Sequence, residues 1–193
     1  MHKFTAPHWA KTIYRASGYL TEEFGGGPKF LIGAAANPFA DPADWRPYRL
    51  AKKVLAGADF AQTQMVFDLP RFRQYMQRVV DLGVAEQLKI IVGVGPPKSP
   101  GMLRYMRDRV PGMSVPEELI ERMTAAAAGM DSDDKAARAR AWRDEGIRIC
   151  IELIQQVREI EGTAGVHIMG IEWEESIRPV AEGAGLLPRP HVQ

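Results

Sequence analysis

At the centre of the chain stands the stretch Asp59-Phe60-Ala61-Gln62-Thr63-Gln64-Met65-Val66-Phe67-Asp68. It follows Ala56-Gly57-Ala58, which is a helix-ending signal, and it runs into Leu69-Pro70, where a new helical period begins. The order of helix, glycine, short strand, turn and helix is typical of a repeated βα unit. This stretch therefore predicts one strand of a parallel sheet.

Strand alternation divides the side chains of this stretch between two faces. One face carries Phe60, Gln62, Gln64 and Val66, and the other carries Ala61, Thr63, Met65 and Phe67. Two amides on one face of a parallel strand are costly unless they are hydrogen-bonded. Because they lie near the C-terminal end of the strand, where α/β folds build their ligand sites, Gln62 and Gln64 are candidate ligand-binding residues. The alternative is a structural amide that is bonded to neighbouring backbone.

Further strands and helices extend from this stretch in both directions. Apolar runs ended by Gly or Pro predict strands over 30–36, 88–95 and 166–171. Helical periods are predicted over about 48–56, 71–82, 101–110, 116–128 and 134–160, with a last helix after 175. These are four βα units without a second domain. A full (β/α)8 barrel usually takes about 250 residues, so the predicted fold is α/β, of the TIM-barrel type, with four parallel strands as a half barrel.

Composition narrows the classes of function. The chain has 193 residues, with 25 basic and 24 acidic side chains and a net charge of +1. This balance gives no electrostatic signature of a nucleic-acid or membrane-surface protein. The sequence also contains no apolar run near the roughly 20 residues of a membrane span, and Met1–Thr5 lacks the apolar core of a signal peptide. We therefore expect a cytoplasmic protein with neither a nucleic-acid nor a membrane partner.

Two further expectations concern cysteine and the N-terminal region. Cys150 is the single cysteine, which excludes an intramolecular disulfide and a multi-cysteine metal site, and we expect a buried, inert thiol. No metal site is predicted. Residues 1–27 form a poorly defined segment that ends in Gly25-Gly26-Gly27, which we interpret as a linker before a domain over 28–193.

Five segments in the same order and spacing resemble the methylenetetrahydrofolate reductase family. They are Gly33-Ala34-Ala35-Ala36-Asn37-Pro38, Lys53-Val54-Leu55-Ala56-Gly57-Ala58, Thr63-Gln64-Met65-Val66-Phe67-Asp68, Ile90-Ile91-Val92-Gly93-Val94-Gly95-Pro96 and Val166-His167-Ile168-Met169. The resemblance covers about 28–190 and implies the second half of a (β/α)8 barrel. It also implies FAD at the C-terminal mouth and reduction of 5,10-methylenetetrahydrofolate to 5-methyltetrahydrofolate with NAD(P)H.

The resemblance implies roles for several residues. Gln64 matches a glutamine that binds the folate pterin, and Gln62 shares its face. Lys53 matches a lysine on the phosphate and ribose side of the flavin cofactor. Asn37 and Asp41 fall where some members carry a flavin-contacting tyrosine and a loop histidine. His167 matches a strand histidine that we expect to be a satisfied core residue.

Residues for the chemical step do not emerge from the resemblance. The family's general-acid glutamate on the first strand and its aspartate on the fourth have no match, and Glu22-Glu23-Phe24 only faintly echoes the context of the acid. We therefore assign no catalytic residue. Glu172 and Glu174 follow the fourth strand, where they are expected either to border the site or to be solvated and cap the next helix.

These observations leave two functions open, beside the third alternative of an inactive truncation product. One is a flavin-dependent oxidoreductase of one-carbon folate metabolism, as a fragment or as a half that requires the missing N-terminal part. The other is a non-catalytic folate- or flavin-binding or assembly subunit derived from that family. In either case we expect a folate ligand and association, either as a homo-oligomer or with a first-half barrel polypeptide, because four parallel strands leave two unpaired edges.

Overall fold

The computed structural model describes residues 31–188. Four strands alternate with helices along the chain: β1 (Gly33–Ala36), α1 (Arg46–Leu55), β2 (Phe60–Met65), α2 (Leu69–Asp81), α3 (Val84–Gln87), β3 (Lys89–Val94), α4 (Pro100–Arg109), α5 (Glu117–Ala125), α6 (Lys135–Arg158), β4 (Thr163–Ile168) and α7 (Ile177–Gly183). Single 3₁₀ turns cover Ala43–Trp45 and Glu174–Ser176. The central stretch is a strand, as the sequence predicts.

The sheet is parallel, and its strands lie in chain order β1-β2-β3-β4. A doubly wound sheet would reverse its strand order at a switch point and carry helices on both faces. Here the order does not reverse. The residues of one face are buried against helices, among them Ala61, Ile90, Val92 and Val94. The arrangement is that of a half barrel, in agreement with the predicted fold class.

The opposite face of the sheet is only partly buried by residues 31–188. Register aligns Ala35 with Gln62, Gln62 with Ile91, and Ile91 with Gly165 in one row across the sheet. Gln62 and Ile91 are half-buried. In a closed barrel this face would line the interior. We call it the open face, and it comprises Phe60, Gln62, Gln64, Lys89, Ile91 and His167.

Helix ends follow signals that are present in the sequence. The Asp134 carboxylate accepts the Ala137 N–H at 2.9 Å and caps α6, which begins one residue later. Asp68, the last residue of the central stretch, caps α2 by accepting the Arg71 N–H at 3.1 Å. The Ser114 hydroxyl donates to the same carboxylate at 2.7 Å and ties the segment before α5 to the end of β2.

A charged network joins α5 to α6. Arg122 donates to Glu145 at 2.6 Å and to both oxygens of Glu152 at 2.6 and 2.8 Å. Arg148 adds a second donor to Glu145, which is itself buried. Burial alone would raise the pKa of Glu145, but the hydrogen bonds from Arg148 and Arg122 outweigh it and lower that pKa. The network therefore holds a buried carboxylate in its charged form.

Cys150 lies on the buried side of α6, as expected. Its thiol is fully enclosed, and burial raises its pKa to about 12. Because a thiol needs its thiolate form to attack, this cysteine is inert at neutral pH.

Candidate functional site

A cleft of about 710 Å³ opens beside the C-terminal end of β1 and spreads onto the open face. One wall is the run of small residues Gly33-Ala34-Ala35-Ala36 on β1, which leaves room for a ligand beside the strand. Gln62 and Gln64 of β2 form the floor, and the opposite wall is the side of α1 that faces the sheet edge. The cleft thus lies where the ligand sites of α/β barrels are found.

Gln62 and Gln64 both line this cleft, and both are half-buried. The odd-numbered neighbours Ala61, Thr63 and Met65 are buried on the helix side, which is the alternation that the sequence predicts. Neither glutamine side chain hydrogen-bonds to another side chain or backbone group within residues 31–188. Their amides are therefore available to a ligand on this face.

A β-bulge sets the direction of Gln64. Gln62 pairs with Ile91, but Met65, rather than Gln64, pairs with Gly93, so β2 carries one extra residue. The buried Thr63 hydroxyl closes the gap by accepting the Gly93 N–H at 2.9 Å and donating to the Gln64 carbonyl at 2.7 Å. The backbone on both sides of the Gln64 side chain is therefore fixed.

Gly93 is required by this bulge. A Cβ at position 93 would lie 2.6 Å from the Thr63 carbonyl oxygen and 2.9 Å from that of Gln64, and it would also collide with the Met169 methyl group. A backbone oxygen cannot move aside as a flexible side chain can. The glycine in the third predicted strand therefore serves close packing against the bulge.

Three cations line the cleft from α1. Arg46, Arg49 and Lys53 occur at spacings of three and four residues, which places them on one side of the helix, and all three line the cleft. We call them the basic stripe. None of the ion pairs formed within residues 31–188 includes a member of this stripe. Such a cluster favours an anionic ligand, for example a phosphate.

Lys53 contacts the outer edge of β1. Its ammonium donates to the Ala35 carbonyl oxygen. The Ile32 carbonyl accepts the Asp59 N–H at 2.8 Å and therefore points toward β2. Because carbonyls alternate in direction along a strand, the Ala35 carbonyl, three residues later, points the other way, toward the outer edge of the sheet. Burial lowers the pKa of Lys53, and the charges of Arg49 and Arg46 lower it further. An anion beside the stripe would relieve this repulsion.

Arg46 and Asn37 shape the loop above the cleft. Arg46 Nε donates to the Ala40 carbonyl at 2.6 Å, and a second guanidinium nitrogen donates to that of Asp41. Asn37 Oδ1 accepts the N–H groups of Phe39 at 3.3 Å and Ala40 at 3.2 Å, a local turn bond. The oxygen of this amide is thus already used within the loop.

The structure gathers most of the residues that sequence reasoning selected. Lys53, Asn37, Gln62 and Gln64 line one cleft. Asp41 does not line it, and its exposed side chain lies in the loop after β1. Whether these residues bind folate or flavin remains a prediction.

His167 corrects one expectation. We predicted a satisfied core histidine, but its side chain is exposed. The cause is register, because His167 pairs with Gly93 and therefore lies on the open face. Only the helix side of β4 carries core residues, with Val166 and Ile168 packed against the buried cluster.

Glu172 follows β4 and contacts the loop after β3. Its carboxylate lies 3.5 Å from Lys98, whose ammonium also donates to the Glu172 carbonyl at 3.4 Å. Glu172 has a φ of 50°, an uncommon value for a residue other than glycine. Glu174 begins the 3₁₀ turn that precedes α7. Neither glutamate lines the cleft.

Sequence reasoning missed several cleft residues. Arg46 and Arg49 belong to the site, and the spacing of three and four residues to Lys53 was a readable signal. Phe60 lies on the open face with its ring packed directly over Gly33, and Met169 covers Gly93. Tyr75 of α2 also lines the cleft. No sequence signal distinguishes that tyrosine from an ordinary core aromatic residue.

Comparison with known proteins now identifies the family. Residues 18–185 match the family described as methylenetetrahydrofolate reductase. The chain belongs to the methylenetetrahydrofolate reductase family. Methylenetetrahydrofolate reductase 2 of Schizosaccharomyces pombe is 28% identical over 186 residues, covering 89% of this chain and 27% of that protein. A probable methylenetetrahydrofolate reductase (NADPH) of Caenorhabditis elegans is 23% identical over 87% of this chain and 24% of its own length. The chain thus spans about a quarter of these curated relatives.

A solved structure shows the same fold. It is described as an uncharacterized protein from Clostridium thermocellum that binds two copies of 5-methyl-5,6,7,8-tetrahydrofolic acid. The TM-score is 0.52 at 18% identity, and the alignment covers 86% of this chain and 55% of that one. The likeness supports the half-barrel description, because a chain with four βα units aligns with about half of a longer one.

Residues 31–188 show neither a membrane-spanning helix nor a metal site. None of the helices within 31–188 combines the length and the apolar character that crossing a membrane requires. The same residues contain no group of three or more His, Cys, Asp or Glu side chains that could hold a metal ion.

Proposed function

We propose that this chain acts in one-carbon folate metabolism as the second half of a flavin-dependent oxidoreductase. The reaction would be the reduction of 5,10-methylenetetrahydrofolate to 5-methyltetrahydrofolate with NAD(P)H and FAD. One observation carries the proposal: two free amides and three cations without carboxylate partners within 31–188 line the same cleft at the C-terminal end of the strands. Membership of the methylenetetrahydrofolate reductase family supports the assignment.

The cleft suits the phosphate-bearing part of FAD. Arg46, Arg49 and Lys53 offer positive charge along one wall, and the alanines of β1 leave space opposite them. FAD, when bound, supplies the hydride chemistry, while the residues of this chain bind and orient it. The Asn37 amide adds a donor at the rim, since its oxygen is already used in the turn.

Gln64 suits one edge of the folate pterin. A primary amide both donates and accepts, so it matches adjacent donor and acceptor atoms of a heterocycle. The bulge fixes the backbone around it, and Gln62 lies on the same floor. The fold neighbour is described as binding 5-methyl-5,6,7,8-tetrahydrofolic acid, which is consistent with a folate on this face.

The cleft lacks a carboxylic acid for proton transfer among the residues within 31–188. Its lining residues within 31–188 include no aspartate or glutamate, so we propose that the acid comes from a first-half barrel polypeptide. Within residues 31–188, neither β1 nor β4 pairs with a further strand on its outer side, and such a half would pair there. The open face would then become the interior of a complete barrel.

The absence of a carboxylate from the cleft lining within 31–188 also favours a second candidate function. In this version the chain binds folate or flavin without catalysis, as an accessory or assembly subunit. The amides and the basic stripe serve either function, and only the chemical step separates the two.

Titration of the chain with FAD, monitored by the absorption spectrum of the flavin, tests whether FAD is the ligand. The wild-type chain is expected to bind FAD, and Arg49→Gln is expected to weaken binding about tenfold by removing one charge from the stripe. The control is Arg140→Gln, an exposed arginine on α6 outside the cleft. Equal affinity of wild type and Arg49→Gln would reject the flavin assignment.

A measurement of folate turnover distinguishes the two candidate functions. The lone chain with FAD and NAD(P)H is expected to reduce no folate above background, and a co-purified first-half polypeptide is expected to restore the reaction. An assembled complex that binds both ligands and remains inactive would favour the accessory role.

A further inference from the structure

The turn between α4 and α5 reaches the rim of the cleft. Its central residues are Pro111 and Gly112, and the Met113 N–H donates across it to the Val110 carbonyl at 3.2 Å. The φ of Gly112 is 77°, the left-handed value of the third residue in a type II turn, and proline is favoured at the position before it. The Pro-Gly pair in the sequence therefore sets the shape of this turn.

Gly112 packs directly on the side chain of Asn37. A Cβ at position 112 would lie 2.1 Å from Asn37 Nδ2, 2.7 Å from Oδ1 and 2.8 Å from Cγ. Asn37 lines the cleft, and its Oδ1 accepts the N–H groups of Phe39 and Ala40. This amide is therefore held by its own loop on one side and by the glycine on another.

The segment that follows the turn is anchored to two neighbouring elements. The Ser114 hydroxyl donates to Asp68 at 2.7 Å and accepts from Arg71 at 3.0 Å. The Arg71 guanidinium lies over the Phe39 ring, 5.7 Å from its centroid. Because Phe39 belongs to the loop that carries Asn37, these contacts tie the turn to that loop a second time.

From this geometry we infer that Gly112 is a positioning residue for the cleft, acting through Asn37. Because Gly112 has no side chain, it leaves the space in which the Asn37 amide stands at the rim, and Ser114 holds the turn in register with it. A larger residue at position 112 would displace the amide or break its bonds within the loop after β1. The inference rests on the proposed function only in its choice of FAD as the ligand that Asn37 contacts.

The test compares Gly112→Ala with Gly129→Ala in a titration with FAD. Gly129 follows α5, lies outside the cleft and has the same φ of 77°, but a Cβ there meets nothing within 4 Å. Both variants place an alanine in a left-handed conformation, and only Gly112→Ala collides with Asn37. Gly112→Ala is expected to weaken FAD binding about three- to tenfold, the scale of one hydrogen bond, and Gly129→Ala is expected to leave it unchanged.

A nitrogen–proton NMR spectrum reports on the Asn37 amide without any ligand. Its side-chain signal is the one that Asn37→Ala removes. This signal is expected to shift in Gly112→Ala and to stay in place in Gly129→Ala. When Gly112→Ala is added to Asn37→Ala, we expect no further loss of FAD affinity, because the side chain that the new methyl group meets is gone.

Each result decides the inference. An unshifted Asn37 signal in Gly112→Ala overturns it, as does a shifted signal with unchanged FAD affinity or a further loss of affinity in the double variant. A wild-type chain that binds no FAD rejects the flavin proposal, and the spectrum alone then decides whether Gly112 positions Asn37.

Ser114→Ala replaces Gly112→Ala in these measurements if the latter does not fold. It retains the glycine but removes the hydroxyl that joins Asp68 and Arg71, so the turn loses its anchor. The Asn37 signal is expected to shift and FAD binding to weaken about threefold. An unshifted signal in Ser114→Ala would then overturn the inference.

Discussion

Lys53 shows how a single residue gains a role from its position. Its ammonium donates to the Ala35 carbonyl at the outer edge of β1, and it belongs to a stripe of three like charges. From the sequence alone it is a helix surface charge. Partial burial and the charges of the neighbouring arginines lower the pKa of its ammonium. A bound anion would stabilise the charged form.

The lowered pKa of Lys53 predicts a pH dependence of FAD binding. Above neutral pH the ammonium loses its proton earlier than an ordinary lysine would, so the affinity of wild type for FAD is expected to fall as pH rises from 7 to 10. In Lys53→Arg the charge persists over this range, and the affinity is expected to fall less. Fluorescence titration at each pH measures both.

The control for this prediction is Lys52→Arg, whose side chain is exposed and does not line the cleft. Titration of the flavin itself would affect all three proteins equally. If the FAD affinities of wild type and Lys53→Arg fall in parallel as pH rises, Lys53 does not contribute to FAD binding.

At the scale of elements, the bulge in β2 depends on contacts between adjacent strands. Gly93→Ala is expected to destabilise the fold by about 1–3 kcal/mol, because the new methyl group meets two backbone oxygens of the bulge. Gly165→Ala on β4 is a matched control, since a Cβ there meets nothing within 4 Å. Urea unfolding measures both, and equal midpoints for the two variants would contradict this account of the bulge.

The contact between α5 and α6 predicts a pH dependence of stability. The pKa of Glu145 is lowered in the folded protein. Its contribution to the free energy of unfolding is therefore complete above the ordinary glutamate pKa of 4.5, and this contribution is lost as the pH falls below 4.5. Wild type is therefore expected to lose more of its free energy of unfolding than Glu145→Gln between pH 6 and 3. Glu182→Gln, from an exposed pair with Arg178, is expected to behave like wild type. An equal loss in wild type and Glu145→Gln would contradict the role of this network.

The sequence predicted elements well where the hydrophobic period was strong. Alternation along β2 placed Gln62 and Gln64 on one face, and the fold class followed from four βα units. β4 was predicted over 166–171 but spans Thr163–Ile168, because Thr163-Ala164-Gly165 is not apolar while Met169–Ile171 resembles a strand. The four-residue helix α3 was not predicted, because it is too short to show a helical hydrophobic period.

Other features depended on tertiary structure that a single sequence does not display. His167 was assigned to the core because strand residues of a parallel sheet are usually buried on both faces, whereas one face of this sheet is open. Arg46 and Arg49 were not selected, since charged residues on a helix are commonly solvent-exposed. Tyr75 joined the site only when α2 packed beside the cleft.

At the scale of the whole molecule, association is predicted by the open face and by the outer sides of β1 and β4, which pair with no further strand within residues 31–188. Isolated parallel strands with unpaired edges tend to recruit further strands, so the purified chain is expected to dimerise, to pair with a first-half polypeptide, or to aggregate. Light scattering during size-exclusion chromatography measures its mass. A stable, soluble monomer with a cooperative melt would count against this expectation.

We propose that the cleft around Gln64 is the folate site of this half barrel from the methylenetetrahydrofolate reductase family. Titration calorimetry of 5-methyltetrahydrofolate into the assembled protein tests it most directly. Gln64→Ala is expected to lose about 1–3 kcal/mol of folate binding while FAD affinity is retained, and Gln155→Ala, an exposed amide on α6, is expected to match wild type. Unchanged folate affinity in Gln64→Ala, or a loss of FAD rather than folate, would contradict the account.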